Sequence, residues 1–252
     1  MTSADRLTWV GHSTVLIDLD GTRLLTDPVL RKRIGPLVRH RPTPAAETIE
    51  GIDAVLISHL HHDHADLGSL RKLPREVPML VPPGSRAFFE RRGFTGAKEL
   101  MPGHSALVGA LTVTAVEADH DTGRRRHARS SKAIGFLVSG TRSVYFAGDT
   151  DVFAGMGDLA SELDLALLPI WGWGPTVGPG HMDPRRAAEA AALLSPRSAV
   201  PIHWGTLYPF GLRQLNPDRL YLPPREFVDS MRELAPQVAT LVLSPGESTS
   251  LA

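Results

Sequence analysis

Cysteine is absent from this chain. That excludes disulfide bridges and thiolate metal ligands. The absence fits a reducing compartment without requiring one. Long apolar runs are also missing, and no stretch approaches the roughly 18 residues that a membrane-spanning helix needs. The first ten residues carry Asp5 and Arg6 but no apolar run, so no signal peptide is expected and the cytoplasm is the expected compartment. An excess of charge of one sign is lacking too. Lys and Arg total 27, and so do Asp and Glu. That balance offers no general attraction to nucleic acid or to an anionic membrane, although a local basic patch remains compatible with it.

What is present is an ordinary globular balance, 42% apolar and 21% charged over 252 residues, enough for a substantial core. No repeat, low-complexity tract or shift in composition divides the chain. One domain over 1–252 is the simplest reading.

Apolar runs at 13–19 and 22–26 flank Asp20-Gly21, a strong hairpin signal. Residues 31–51 are basic and proline-bearing with no clear period, and read as a long loop. Strands are expected at 53–58, 79–81, 111–118, 133–139, 143–147, 165–169, 199–202 and 240–244. Short helices are expected at 66–73 and 85–92. A longer helix starts with Asp183 as N-cap and Pro184 at the first helical position and runs to about Leu194. Another covers about 225–234. Hairpins and single strands with helices between them imply a layered α+β or α/β domain with mixed sheets.

The chemistry is concentrated at strand ends. Ser58-His59-Leu60-His61-His62-Asp63-His64 follows the strand at 53–58. Imidazole and carboxylate suit borderline divalent metals. His59 and His61, two apart, share one side of an extended chain, and Asp63 and His64 lie past the bend. Read alone, the segment is either a metal site or a histidine-rich polar loop. Three further strands each lead to another donor: 111–118 to Asp119-His120-Asp121, 143–147 to Asp149, and 199–202 to His203. Strand ends gather at one edge of a layered sheet, where sites form. As a set these residues favour metal ligation.

The His-x-His-x-Asp-His pattern at His59–His64, followed by separate His120, Asp149 and His203, resembles the metallo-β-lactamase superfamily. That resemblance covers nearly the whole chain and implies an αββα fold, two mixed sheets face to face with helices outside. It further implies that His59, His61 and His120 hold one metal, that Asp63, His64 and His203 hold the other, and that Asp149 bridges them. Gly11-His12-Ser13-Thr14, Thr26-Asp27-Pro28 and His181-Met182-Asp183-Pro184 are similar to the branch containing N-acyl-phosphatidylethanolamine phospholipase D and ascorbate-6-phosphate lactonase.

The expected activity is metal-dependent hydrolysis of a small-molecule ester, a phosphodiester or a lactone, by a hydroxide bridging two metals. Zn²⁺ is the expected ion, with Mn²⁺ or Fe²⁺ as alternatives. Asp63 and Asp149 would orient the hydroxide, and the chain lacks the Gly-x-Ser-x-Gly of serine hydrolases. His181 precedes a helix N-terminus and reads either as a group contacting the substrate oxyanion or protonating the leaving group, or as part of the cap. His12 and Asp27 each read either as a group supporting the ligands or as a structural residue. Arg124, Arg125, Arg126 and Arg129 read as a solvated loop or a phosphate-steering run. Trp171 and Trp173 read as pocket walls or plain packing. The competing readings are a nuclease and a non-hydrolytic di-iron or metal-binding protein. No nucleic-acid partner is expected, and a homo-oligomer is possible.

Overall fold

The computed structural model describes residues 5–120, 132–159, 161–172 and 177–251. Two seven-stranded mixed sheets dominate it. Across the first, the strands run Ser248–Ser250, Arg6–Gly11, Thr14–Leu19, Thr22–Thr26, Ala54–Leu56, Met79–Val81 and Ala97–Glu99. Across the second they run Ala239–Thr240, Ser198–Ile202, Leu165–Pro169, Ser143–Phe146, Ile134–Ser139, Leu111–Glu117 and Ser105–Val108. A small third sheet joins Leu207–Pro209, Leu37–Arg39 and Arg33–Ile34.

The alternation of side chains along each strand builds the layers. Leu7, Trp9, Ile17, Leu24 and Leu56 of the first sheet and Val113, Phe136 and Val138 of the second bury themselves in one shared core. The opposite side of the first sheet offers Leu16, Leu25, Val55 and Met79, which pack with Leu70 and Phe89 from the helical segments Leu67–Leu70 and Arg86–Glu90. The helices Pro184–Leu194 and Leu222–Leu234 pack on each other, and the first of them lies against Leu165–Pro169. The order of layers is thus helix, sheet, sheet, helix, the αββα arrangement.

Asp20 and Gly21 both take left-handed φ, 50° and 73°, the geometry a two-residue hairpin demands. Asp183 caps the helix Pro184–Leu194 through its side chain, which accepts from Arg186 N at 2.8 Å.

Three expectations need correction. Residues 31–51 are not loop throughout, because Arg33–Ile34 and Leu37–Arg39 pair into the small sheet. The strand expected at 240–244 shrinks to Ala239–Thr240. Its parallel neighbour carries Pro201, two residues beyond Ala199, whose carbonyl accepts from Leu241 N. Pro201 therefore faces the same edge with no N–H to continue the ladder, and pairing stops there. The last helix starts at Leu222, earlier than expected, because Pro223 and Pro224 fit the first turn, where N–H groups are free anyway.

Candidate metal centre

The strands bring their ends to one edge of the sandwich. Thr22–Thr26 and Ala54–Leu56 run parallel, and so do Ser143–Phe146, Leu165–Pro169 and Ser198–Ile202. Asp27, His59, Asp149, Trp171 and His203 all follow the C-terminal ends of these strands. Ile134 N donates to Ser58 O at 3.0 Å and stitches the two sheets together at this edge. The close approach needs Gly148, which has φ 63° and where an added Cβ would sit 2.6 Å from Ser58 Cβ.

Two groups of donors form around Asp149. In the first, His59 Nε2 lies 2.9 Å from His61 Nδ1, and His120 Nε2 lies 3.3 Å from the same atom. In the second, Asp63 Oδ2 lies 2.9 Å from His12 Nε2, 3.4 Å from His64 Nε2 and 3.6 Å from His203 Nε2. The Nε2 atoms of His64 and His203 are 3.3 Å apart. Asp149 stands between the groups, its Oδ2 3.2 Å from His64 Nε2 and 3.9 Å from His59 Nε2, and its Oδ1 3.3 Å from His203 Nε2. All seven residues expected as ligands are thus brought together.

The outward nitrogens explain why these rings face as they do. Ser58 Oγ donates to Asp27 Oδ2, so it accepts from His59 Nδ1, 3.0 Å away. His64 Nδ1 donates to Asp27 Oδ2 at 2.7 Å, His120 Nδ1 to Gly180 O at 2.8 Å, and His203 Nδ1 to Trp171 O. Each Nε2 is left with its lone pair aimed inward, the arrangement in which imidazole ligates a metal. Lone pairs that face one another repel unless a cation or a proton lies between them. Asp149 Oδ1 is buried and receives no hydrogen bond, and a buried carboxylate needs compensation. The donor set therefore fits divalent cations.

Electrostatics divide the centre. Burial, reinforced by neighbouring imidazoles, holds His59 well below its ordinary pKa and His61 at about 4. Burial also opposes charge on His64, but Asp149, Asp63 and Asp27 outweigh it and lift its pKa well above the ordinary value. His203 is raised against the same opposition by Asp149 and Asp63. Burial pushes the carboxyls of Asp63 and Asp149 upward, yet the surrounding imidazoles win and keep both well below the usual carboxylate range.

His181 is not the helix cap, a role Asp183 fills. Its Nδ1 is 3.1 Å from Pro179 O, and its Nε2 reaches to 3.6 Å from Asp149 Oδ2. His12, for which the sequence left two readings open, sits inside the cluster, its ring 4.0 Å from that of His203. Its carbonyl accepts from His203 N at 3.0 Å, so the Gly11–Thr14 turn holds both Asp63 and His203. Asp27 supports His64 and Ser58. Sequence reasoning missed Ser58, Gly180 and the carbonyl of Trp171, and carbonyl partners leave no mark in residue identity. The Trp171 side chain is buried against Tyr208, the rings 5.4 Å apart. Trp173 and the Arg124–Arg129 run lie outside the described residues.

Fold and centre together define a protein of the αββα class with a cluster of metal-ligand type. The beta-lactamase superfamily domain matches residues 22–204, and the chain belongs to that superfamily, among its metal-dependent hydrolases. It is 32% identical to a metal-dependent hydrolase of Methanopyrus kandleri, over 96% of this chain and 98% of that one. It is also 32% identical to N-acyl-phosphatidylethanolamine-hydrolyzing phospholipase D 1 of Caenorhabditis elegans, over 90% of this chain and 68% of the relative. Similar proteins of Mycobacterium tuberculosis and Mycobacterium bovis, 35% identical, are longer, and the match spans 58% of their length. Among solved structures, Igni18, a metallo hydrolase of Ignicoccus hospitalis, superposes with a TM-score of 0.73 at 24% identity, covering 98% of each chain. That likeness speaks for the fold.

Proposed function

We propose that this chain is a binuclear hydrolase of small or medium esters, with phosphodiesters first and lactones second. The carrying observation is the placement of Asp149 between the two donor groups, with one oxygen buried and without a hydrogen bond. His59, His61 and His120 would hold one cation, and Asp63, His64 and His203 the other, with Asp149 shared. Zn²⁺ suits this set first, and Mn²⁺ and Fe²⁺ also match it. Bound divalent cations supply an activated water at neutral pH and an electrophile for a carbonyl or phosphoryl oxygen.

The chain's own residues do the rest. Asp63 and Asp149 present carboxylate oxygens that orient the attacking water. Asp27, Ser58, Gly180 O and Trp171 O fix the imidazole tautomers, so no ring has to turn during reaction. His181 Nε2, 3.6 Å from Asp149 Oδ2 on a partly exposed ring, would hydrogen-bond the developing oxyanion or protonate the leaving oxygen. The likeness to the nematode enzyme, whose name describes cleavage of a phosphodiester lipid, supports placing phosphodiesters first.

The test is hydrolysis of bis-p-nitrophenyl phosphate and of an acyl lactone by protein loaded with Zn²⁺ or Mn²⁺. We expect turnover of the phosphodiester, lost in His181→Ala with metal content unchanged. Silence on both substrates at full metal loading overturns the reading.

A further inference from the structure

Exposed large apolar side chains stand singly at Met101, Leu107, Leu193 and Val242, but the others gather. Among the described residues, Phe210, Leu212, Leu215, Tyr221 and Leu222 fall within one short segment, with Phe210 exposed to 74% and Leu215 to 72%. Leu212 and Leu215 lie three apart in a single helical turn, Leu212–Leu215, and so share a side. Isolated exposed leucines need no explanation, but a contiguous group does.

Cationic side chains are interleaved with this group. The Arg33 guanidinium stands over the Phe210 ring at 5.5 Å, and that of Arg41 over the Tyr221 ring at 5.4 Å. Arg41 and Tyr221 also line a groove of about 570 Å³ with Trp204, Arg225, Arg232 and Val242. Asp229 engages Arg232 at 3.0 Å. Among the described residues, no carboxylate lies within ion-pair distance of Arg41, Arg213 or Arg225. Arg33, Arg41, Arg213, Arg219, Arg225 and Arg232 outnumber the carboxylates among them, Asp218, Glu226 and Asp229, so a local excess of positive charge remains in a chain that is neutral as a whole.

We propose that this face docks the protein on the surface of an anionic lipid bilayer. Phe210, Leu212 and Leu215 would enter the boundary between headgroups and acyl chains. Arg33, Arg41, Arg213 and Arg225 would meet headgroup phosphates, with the Arg41–Arg225 groove taking one of them. Apolar side chains ringed by arginine are the combination that partitions into an anionic interface. A second copy of the chain fits less well, because a two-fold pairing of this face sets guanidinium against guanidinium. The face adjoins the metal centre: Tyr208, next to its first residues, packs on Trp171, whose carbonyl holds His203. The inference does not rest on the proposed reaction.

Flotation of the full chain with two kinds of vesicle tests it: phosphatidylcholine alone, and phosphatidylcholine mixed equally with phosphatidylglycerol. The protein should float with the mixed vesicles at low salt, far less with the neutral ones, and progressively less as salt rises. Phe210→Ser with Leu215→Ser, and separately Arg213→Glu with Arg225→Glu, should each weaken partitioning roughly tenfold or more. All four side chains are exposed, so unfolding temperature and turnover of a soluble ester should stay at wild-type values. The proposal is overturned if the wild type ignores mixed vesicles, or if both double variants bind them like the wild type. It is also overturned if the face instead forms a concentration-dependent dimer that the variants abolish.

Discussion

The two donor groups flanking Asp149 are built from the same residue types and behave in opposite ways. Among the described residues, the one carboxylate within ion-pair distance of His59, His61 or His120 is the shared Asp149, and burial lowers the pKa values of all three. They are neutral near pH 7, with lone pairs free. The second group adds Asp63 within the cluster and Asp27 behind it, and the same burial now accompanies raised values at His64 and His203. In the metal-free protein these rings carry protons where a cation would otherwise neutralise the carboxylates. Carboxylate placement decides the outcome at His64 and His203, whereas at His12 burial and the neighbouring His203 still win and hold its pKa at about 3 although Asp63 stands 2.9 Å away.

The sharpest way to break this comparison is to remove what the groups share. Asp149→Ala should lose both metals, with activity falling about 10³-fold or more. Elemental analysis beside circular dichroism checks it, and a folded variant that keeps two ions would mean that the groups are independent. His61→Ala then separates them. It should lower the bound metal to one ion per chain, retained by the buried carboxylate-bearing group, whereas His64→Ala should empty that group first. Next in size comes Asp27→Asn, which keeps the shape but removes the charge behind His64. It should weaken metal affinity about 10- to 100-fold at the buried group, measured by competition with a chelator, with a smaller loss at the other group, because Asp27 also accepts from Ser58 Oγ, which orients His59.

The contrast was partly legible in the residues themselves. His59, His61, His120 and His203 stand out because each follows an apolar strand pattern, continuous before His59 and His203 and alternating before His120. A layered domain of mixed sheets followed from the same pattern, whereas the αββα order came from the resemblance to the metallo-β-lactamase superfamily. The short strands Ala97–Glu99 and Ser248–Ser250 were not legible. Each is three residues long and gains its place from neighbours rather than from its own periodicity. His12 and Asp27 stayed ambiguous for a related reason: both have left-handed backbones, φ 57° and 32°, and only tertiary contact shows which way such turns aim a side chain. The partners of His120 and His203 are backbone carbonyls, which every residue carries.

Acid sharpens the comparison further. A pKa raised in the metal-free protein means that a proton must leave before a cation binds, so affinity at the buried group should fall as pH falls below that raised value. The drop is about tenfold per pH unit for each proton displaced. Loading that group in weakly buffered solution near pH 7 should release protons. Loading at His59, His61 and His120 should release almost none until the pH approaches the value of about 4 held by His61. Proton release measured on His61→Ala, where only the buried group remains, should match that of the wild type.

The smallest effect is expected at His62, and its smallness is informative. It sits between two residues of the centre, His61 and Asp63, yet its side chain is exposed and belongs to neither donor group. The chain bends there, so neighbours in sequence face different surroundings. A substitution at an exposed position without partners shifts stability by about 0.5 kcal/mol or less. His62→Ala should therefore keep both metals, with activity within about twofold of the wild type, read by elemental analysis and steady-state kinetics. Loss of one ion in this variant would mean that the bend is set one residue out of register. The division between the two donor groups would then have to be redrawn around His62.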